Sequence, residues 1–236
     1  MMTSQAGMNL IKTMSDSEYV KFQLYLKRLR SIYLRAVCAF HIFETTEELI
    51  APNIVGAKDA KENAAIMSRF KNFFQVTRHA LKFYFFIELA RMLDTAKQSL
   101  HLDKLIIFAE NNRKKINVDE FRRNNQDRSF LQELSSKYSG IKKEDLEHIK
   151  ARLAETKLIR DKLIKYRDQN LAHEDVNKEK VDISSKEIYQ VFDLIAEILN
   201  IFSYKTEFST TTFKFAVDNS IQDTKSVIRN LKKSNN

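Results

Sequence analysis

A chain of 236 residues with only 3 Gly and 1 Pro lacks the turn residues that a hairpin-rich sheet requires, so an all-α protein is expected. At 43% hydrophobic and 30% charged residues the composition is globular, and a domain of this size buries about 70% of the surface its unfolded chain exposes. The formal net charge of +9 favours polyanionic partners such as nucleic acid, and a single cysteine, Cys38, excludes an intramolecular disulfide and paired-cysteine metal sites.

Residues 1–14 carry no basic-then-apolar leader pattern and read as a loosely held terminus. Ser15-Asp-Ser-Glu18 reads as a capping box that opens a helix. Phe22, Leu26, Leu29, Tyr33, Val37 and Phe40 then recur at helical spacing, and Cys38 among Ala36, Val37 and Phe40 reads as a buried, inert thiol. This helix is expected to stop before Pro52. A second long helix is predicted from Gly56 to about Thr95. Its second half, Ala80 to Asp94, is apolar nearly all round and reads as the central helix of the bundle. Lys82, Glu88 and Arg91 interrupt it, so no membrane span is predicted and a cytoplasmic location is expected. Glu88, Arg91 and Asp94 lie three apart. They form either an ion-pair ladder that fixes packing or a support that orients charged groups on a neighbouring helix.

Residues 99–112 read as a short helix. The run that follows is basic, with Arg113, Lys114, Lys115, Arg122 and Arg123, and is either a surface that touches RNA or a solvated loop. A short helix is predicted at about 128–138, then a long one from Lys143 to about His173. Ser184-Ser-Lys-Glu187 is a second capping box, ahead of a helix carrying Ile188, Val191, Phe192, Ile195, Leu199 and Phe202. Residues 208–217 alternate and are β-branched, which predicts a short extended segment, and 218–233 read as a last amphipathic helix. The expected architecture is an up-and-down bundle of four long helices with short additions. It places the bundle over 15–205 and a C-terminal extension over 206–236.

The chemistry concentrates at the end of the 143–173 helix. At 100° per residue Arg167 and His173 lie about 120° apart around the axis, with Asn170 between them and Arg160 a flanking candidate for RNA contact. Arginine grips a phosphate at two points, and imidazole moves protons near neutral pH. At a helix C-terminus the dipole favours the imidazolium. Such a pair can act on an RNA phosphodiester without a metal, and His41, His79, His101 and His148 have no ligand-spaced partner, so no metal or other cofactor is expected. One Arg and one His make a thin site. A symmetric dimer would supply two of each.

Arg167-Asp168-Gln-Asn-Leu-Ala-His173 resembles the signature of the HEPN superfamily, an arginine, a polar residue, a short gap and a histidine near the end of the third bundle helix. His79 to Asp94, followed by Ser99 to Ile107, is similar to the abortive-infection U-type branch, and the likeness covers roughly residues 15–205. The resemblance implies a helical bundle that dimerises and a metal-independent endoribonuclease acting as a toxin or phage-defence effector. It implies a joint site of Arg167 and His173 at the dimer cleft, shaped by Asp168, and an antitoxin or other regulatory partner. The adenylylation-controlled branch carries a tyrosine two residues after the histidine, where this chain has Asp175. Some members have lost catalysis and serve as binding or dimerisation modules, which leaves a non-catalytic dimer that binds nucleic acid or a partner protein as the alternative.

Overall fold

The apolar stripe from Phe22 to Phe40 forms one face of a 31-residue helix, α1 (Glu18–Glu48). A computed structural model describes residues 17–95, 99–169 and 181–233. All regular structure among the described residues is helical, as the scarcity of turn residues predicts. After α1 come α2 (Pro52–Val55), α3 (Ala57–Arg69), α4 (Lys71–Leu93), α5 (Leu102–Asn112), α6 (Val118–Asn124), α7 (Leu131–Ser136), α8 (Lys143–Glu155), α9 (Lys157–Arg167), α10 (Ser185–Glu207) and α11 (Lys214–Lys233). No helix among the described residues is long and apolar enough to cross a membrane. The chain divides into two compact units, one drawn from 1–31, 91–164 and 182–211, the other from 32–90, 165–181 and 212–236.

In the first unit α10 is the central element. Ser184 Oγ accepts the Glu187 N–H at 3.3 Å and Glu187 Oε2 accepts the Ser184 N–H at 2.9 Å, the reciprocal pair that the sequence predicts. Lys162 donates to the same carboxylate. That bond first, then the capping contacts, lowers the Glu187 pKa from its ordinary 4.5 to about 2. A depressed carboxylate stabilises the fold above its unfolded pKa, and the contribution fades as pH falls from 4.5 toward about 2. Comparing melting of wild type and Glu187→Gln between neutral and acid pH should show the gap closing across that window. Ser184→Ala should cost about 1 kcal/mol, read as a fall in Tm of roughly 2–4 °C.

The core of this unit is aromatic and aliphatic. Phe22 and Phe202 meet edge to face with centroids 5.4 Å apart, and neither is exposed. Leu105, Ile149, Leu153, Ile195 and Leu199 are further buried residues of this unit, from α5, α8 and α10. The buried Tyr19 hydroxyl donates to the Thr206 carbonyl at 3.0 Å, and burial pushes its pKa up to about 12. Phe202→Ala would open a cavity that this packing cannot fill, and a loss of about 3–5 kcal/mol is expected in denaturant unfolding.

The second unit is built on the later half of α1 with α2, α3, α11 and most of α4. Phe40 and Phe85 pack edge to face at 5.2 Å, and Tyr33 meets Phe213 at 4.4 Å. Asn63 donates to the Leu49 carbonyl at 2.6 Å, and Lys232 on α11 reaches Glu62 on α3 at 3.3 Å. Gly56 separates α2 from α3 with φ of 85°, a left-handed-side conformation that glycine adopts without strain.

Several expectations shift. Ser15 lies outside the described residues, and the observed cap is Ser17, whose Oγ accepts the Val20 N–H at 3.2 Å. The predicted helix 56–95 is broken at Phe70, where φ is −112° and ψ 38°. The predicted helix from 143 is broken at the buried Thr156, whose hydroxyl donates back to the Leu153 carbonyl at 3.1 Å. Such side-chain bonds compete with the helical ladder. The predicted extended segment 208–217 forms no strand: Phe208 is left-handed at φ 52°, no regular structure follows at 209–212, and Lys214 to Val217 already belong to α11. Cys38 is half-buried rather than buried, and its thiol donates to the Ala216 carbonyl at 3.8 Å. The later half of α4 is not enclosed on all sides. Phe85, Phe86, Leu89 and Ala90 are buried, while Phe83 is 37% exposed and Ala80 and Lys82 face solvent.

Candidate functional site

The end of α9 is anchored before the motif begins. Arg160 Nη2 donates to the Leu93 carbonyl at 3.0 Å and to Asp103 Oδ2 at 3.1 Å, with its side chain 17% exposed. Leu163, one turn on, is fully buried. Arg160, a candidate for RNA contact, is thus committed to an ion pair and a helix-end carbonyl that hold the bundle together.

The last turn of α9 places Tyr166 against Phe86 of α4, with ring centroids 4.4 Å apart. Arg167 follows at the final helical position. Its Nε donates to Asp168 Oδ1 at 2.8 Å. This charge-assisted bond fixes the guanidinium through its Nε edge and sets the plane of the fork. The Arg167 side chain is 23% exposed and that of Asp168 54%, so the pair is partly sheltered yet within reach of solvent. The backbone widens into a π-type turn at Asp168 and Gln169. Asn170 and His173 lie outside the described residues.

Glu88 and Arg91 lie along α4 and Asp94 just past its end. Glu88 is half-buried with Oε2 inaccessible, Arg91 is exposed, and Asp94 Oδ1 accepts the Thr95 N–H at 2.7 Å. The basic candidates belong to the first unit. Lys114, Lys115, Arg122 and Arg123 are exposed and Arg113 is half-buried. Three of them make surface pairs: Lys115 with Glu18 at 4.0 Å, Arg122 with Asp119 at 3.6 Å and Arg123 with Glu120 at 2.6 Å.

Some polar contacts escaped the sequence reading. His148 Nε2 lies 3.0 Å from Glu197 Oε1, and Arg152 donates to the same carboxylate at 3.1 Å. Burial raises the Glu197 pKa, but the donors outweigh it and hold the group below its ordinary value. Helical spacing puts His148 and Arg152 on one face of α8, but it does not place Glu197 of α10 against them. His101 serves as a helix cap, its Nδ1 accepting the Lys104 N–H at 3.1 Å.

All regular structure among the described residues is helical, and the described part of the motif is the Arg167–Asp168 pair at the end of α9. The family model HEPN_AbiU2, described as AbiU2, matches residues 19–227, and the chain belongs to this family. The matched span contains Arg167, Asp168 and His173. No curated protein and no solved structure matched the chain.

Proposed function

We propose that this protein is a metal-independent endoribonuclease acting in the cytoplasm as a toxin or phage-defence effector, with Arg167 and His173 of two subunits forming a shared site. The observation that carries the reading is Arg167 at the end of α9, clamped by Asp168 at 2.8 Å, six residues ahead of His173 within the span matched by the family. The guanidinium binds the scissile phosphate and steadies the charge that grows on its non-bridging oxygens. One imidazole takes the proton from the ribose 2′-hydroxyl. The 2′-oxygen then bonds to phosphorus, the bond to the 5′-oxygen breaks, and a second imidazole, as imidazolium, returns a proton to that leaving oxygen. The products are a cyclic 2′,3′-phosphate and a free 5′-hydroxyl. General acid–base help of this kind is worth about 10²–10⁴-fold.

The exposed face of α4 supports a homodimer. Phe73, Val76, Ala80 and Phe83, with the half-buried Ile87, fall within an arc of about 80° at 100° per residue. Phe73 is 63% and Val76 68% exposed. An apolar stripe of that length is costly in water and suits a protein partner. An antitoxin or regulatory partner is part of the proposal.

The test is cleavage of cellular RNA by the purified protein with and without a chelator, followed by end-group analysis. Cleavage that persists in chelator and leaves cyclic phosphate ends is expected. Intact RNA, with affinity for it retained, would leave a non-catalytic binding dimer.

A further inference from the structure

We propose that residues 113–130 form a surface for single-stranded RNA, with Phe130 as the platform on which an unpaired base stacks. The choice of ligand rests on the RNA-directed reading above, and the geometry that selects the platform is independent of the Arg167 site.

Phe130 is 77% exposed, more than any other large hydrophobic residue among the described residues except Leu158. It also holds a left-handed backbone, φ 61° and ψ 24°, at the start of α7. Glycine or asparagine would adopt that conformation with less strain and without apolar surface in water. Its carbonyl accepts the Leu134 N–H at 2.9 Å, so the turn has a use in starting α7, but its ring makes no side-chain cap. Strain and exposure together at one aromatic point to a ligand for the ring.

The segment that leads to Phe130 is tied to the core of its unit. Phe121 of α6 is fully buried and packs on Tyr138 and Phe208, with centroids 5.2 and 5.6 Å away. Arg128 Nη1 donates to the Glu207 carbonyl at 2.7 Å, and its N–H to the Asn125 carbonyl at 3.0 Å. These bonds hold the turn that presents Phe130. Tyr204, 55% exposed, stands beside Phe208 at 6.3 Å and offers a second aromatic face on the same unit.

The cations are placed for phosphates. Lys114, Lys115, Arg122 and Arg123 are exposed, before α6 and in its last turn. α6 is seven residues long, about 10 Å at 1.5 Å per residue. That spans two to three phosphates of an extended strand. Arg122 pairs with the exposed Asp119, a contact weak enough to exchange for phosphate, while Lys115 and Arg123 pair with the more sheltered Glu18 and Glu120. Aromatic platforms with flanking cations bind strands whose bases are free, and a duplex hides the faces that would stack.

The test is fluorescence anisotropy with a labelled uridine-rich strand of about 12 nucleotides, within the usual range of site sizes. The Arg167→Ala background keeps the strand whole. Phe130→Asn, which tolerates the left-handed turn, should weaken binding about tenfold, and Phe130→Tyr should restore it. Lys114→Ala with Lys115→Ala should lower the salt slope by one to two. The same strand annealed to its complement should bind more weakly. Circular dichroism melting at the wild-type temperature verifies that each variant folds. Wild-type affinity in Phe130→Asn, or equal affinity for strand and duplex, overturns the proposal. So does a Phe130→Asn variant that loses self-association while keeping its RNA affinity, since the ring would then be a protein contact. The two readings fail separately. Strand binding that depends on Phe130 without any cleavage by wild type removes the nuclease and leaves the platform. Cleavage by wild type with an unchanged KM in Phe130→Asn removes the platform and leaves the nuclease.

Discussion

Arg167→Ala is expected to lower RNA cleavage by at least about 10²-fold, the scale of losing one preorganised donor at developing charge. A melt followed by circular dichroism checks that the variant folds. The ion pair with Asp168, which is 54% exposed, by itself adds little to stability. Arg167→Lys separates charge from geometry. Lysine keeps the positive charge but has no planar fork and no Nε to donate to Asp168. It should therefore recover only a small part of the rate. His173→Ala should lose as much as Arg167→Ala, and the double variant little more, because groups that act as a unit are strongly non-additive. In cells, either variant should grow where overexpressed wild type arrests growth. A single-turnover assay with Arg167→Ala cutting at the wild-type rate would remove the catalytic reading.

Local chemistry made part of this molecule legible from its residues. The Ser184–Glu187 box forms as the spacing predicts because both partners lie within one turn. The stripe from Phe22 to Phe40 is buried because period alone decides which face turns inward. What failed was decided at a distance. Nothing local at Phe70 announces a break, since neither Gly nor Pro is present there. Thr156 ends α8 through a hydroxyl bond that a threonine in a helix forms only in some surroundings. The β-branched run 208–217 has strand propensity but no partner strand among the described residues, and its second half joins α11. The same division holds at the site. The Arg167–Asp168 bond joins chain neighbours and is within reach of local reasoning. Tyr166 against Phe86 is not, because that contact joins helices far apart in sequence.

A second large effect is expected from the outer face of α4. Val76→Asp combined with Phe83→Asp should convert a dimer into a monomer, as read by sedimentation at micromolar concentration. A melt checks that the subunit still folds, since Val76 is 68% exposed and gives the core little, while Phe83, at 37%, gives it more. A stable interface covers about 800 Å² on each partner, and charge placed at its centre is among the costlier insults to it. The effect on RNA cleavage follows from position. On α4, Phe86 packs against Tyr166 and lies about 60° around the axis from Phe83 at the edge of the stripe. A subunit seated on that stripe would lie within one helix diameter, about 10 Å, of the end of α9. If the active site needs groups from both subunits, the monomer should lose cleavage even though its own Arg167 and His173 are unchanged. A monomeric variant that still cuts RNA at the wild-type rate would show that one chain suffices. A variant that stays dimeric would move the subunit contact away from this face.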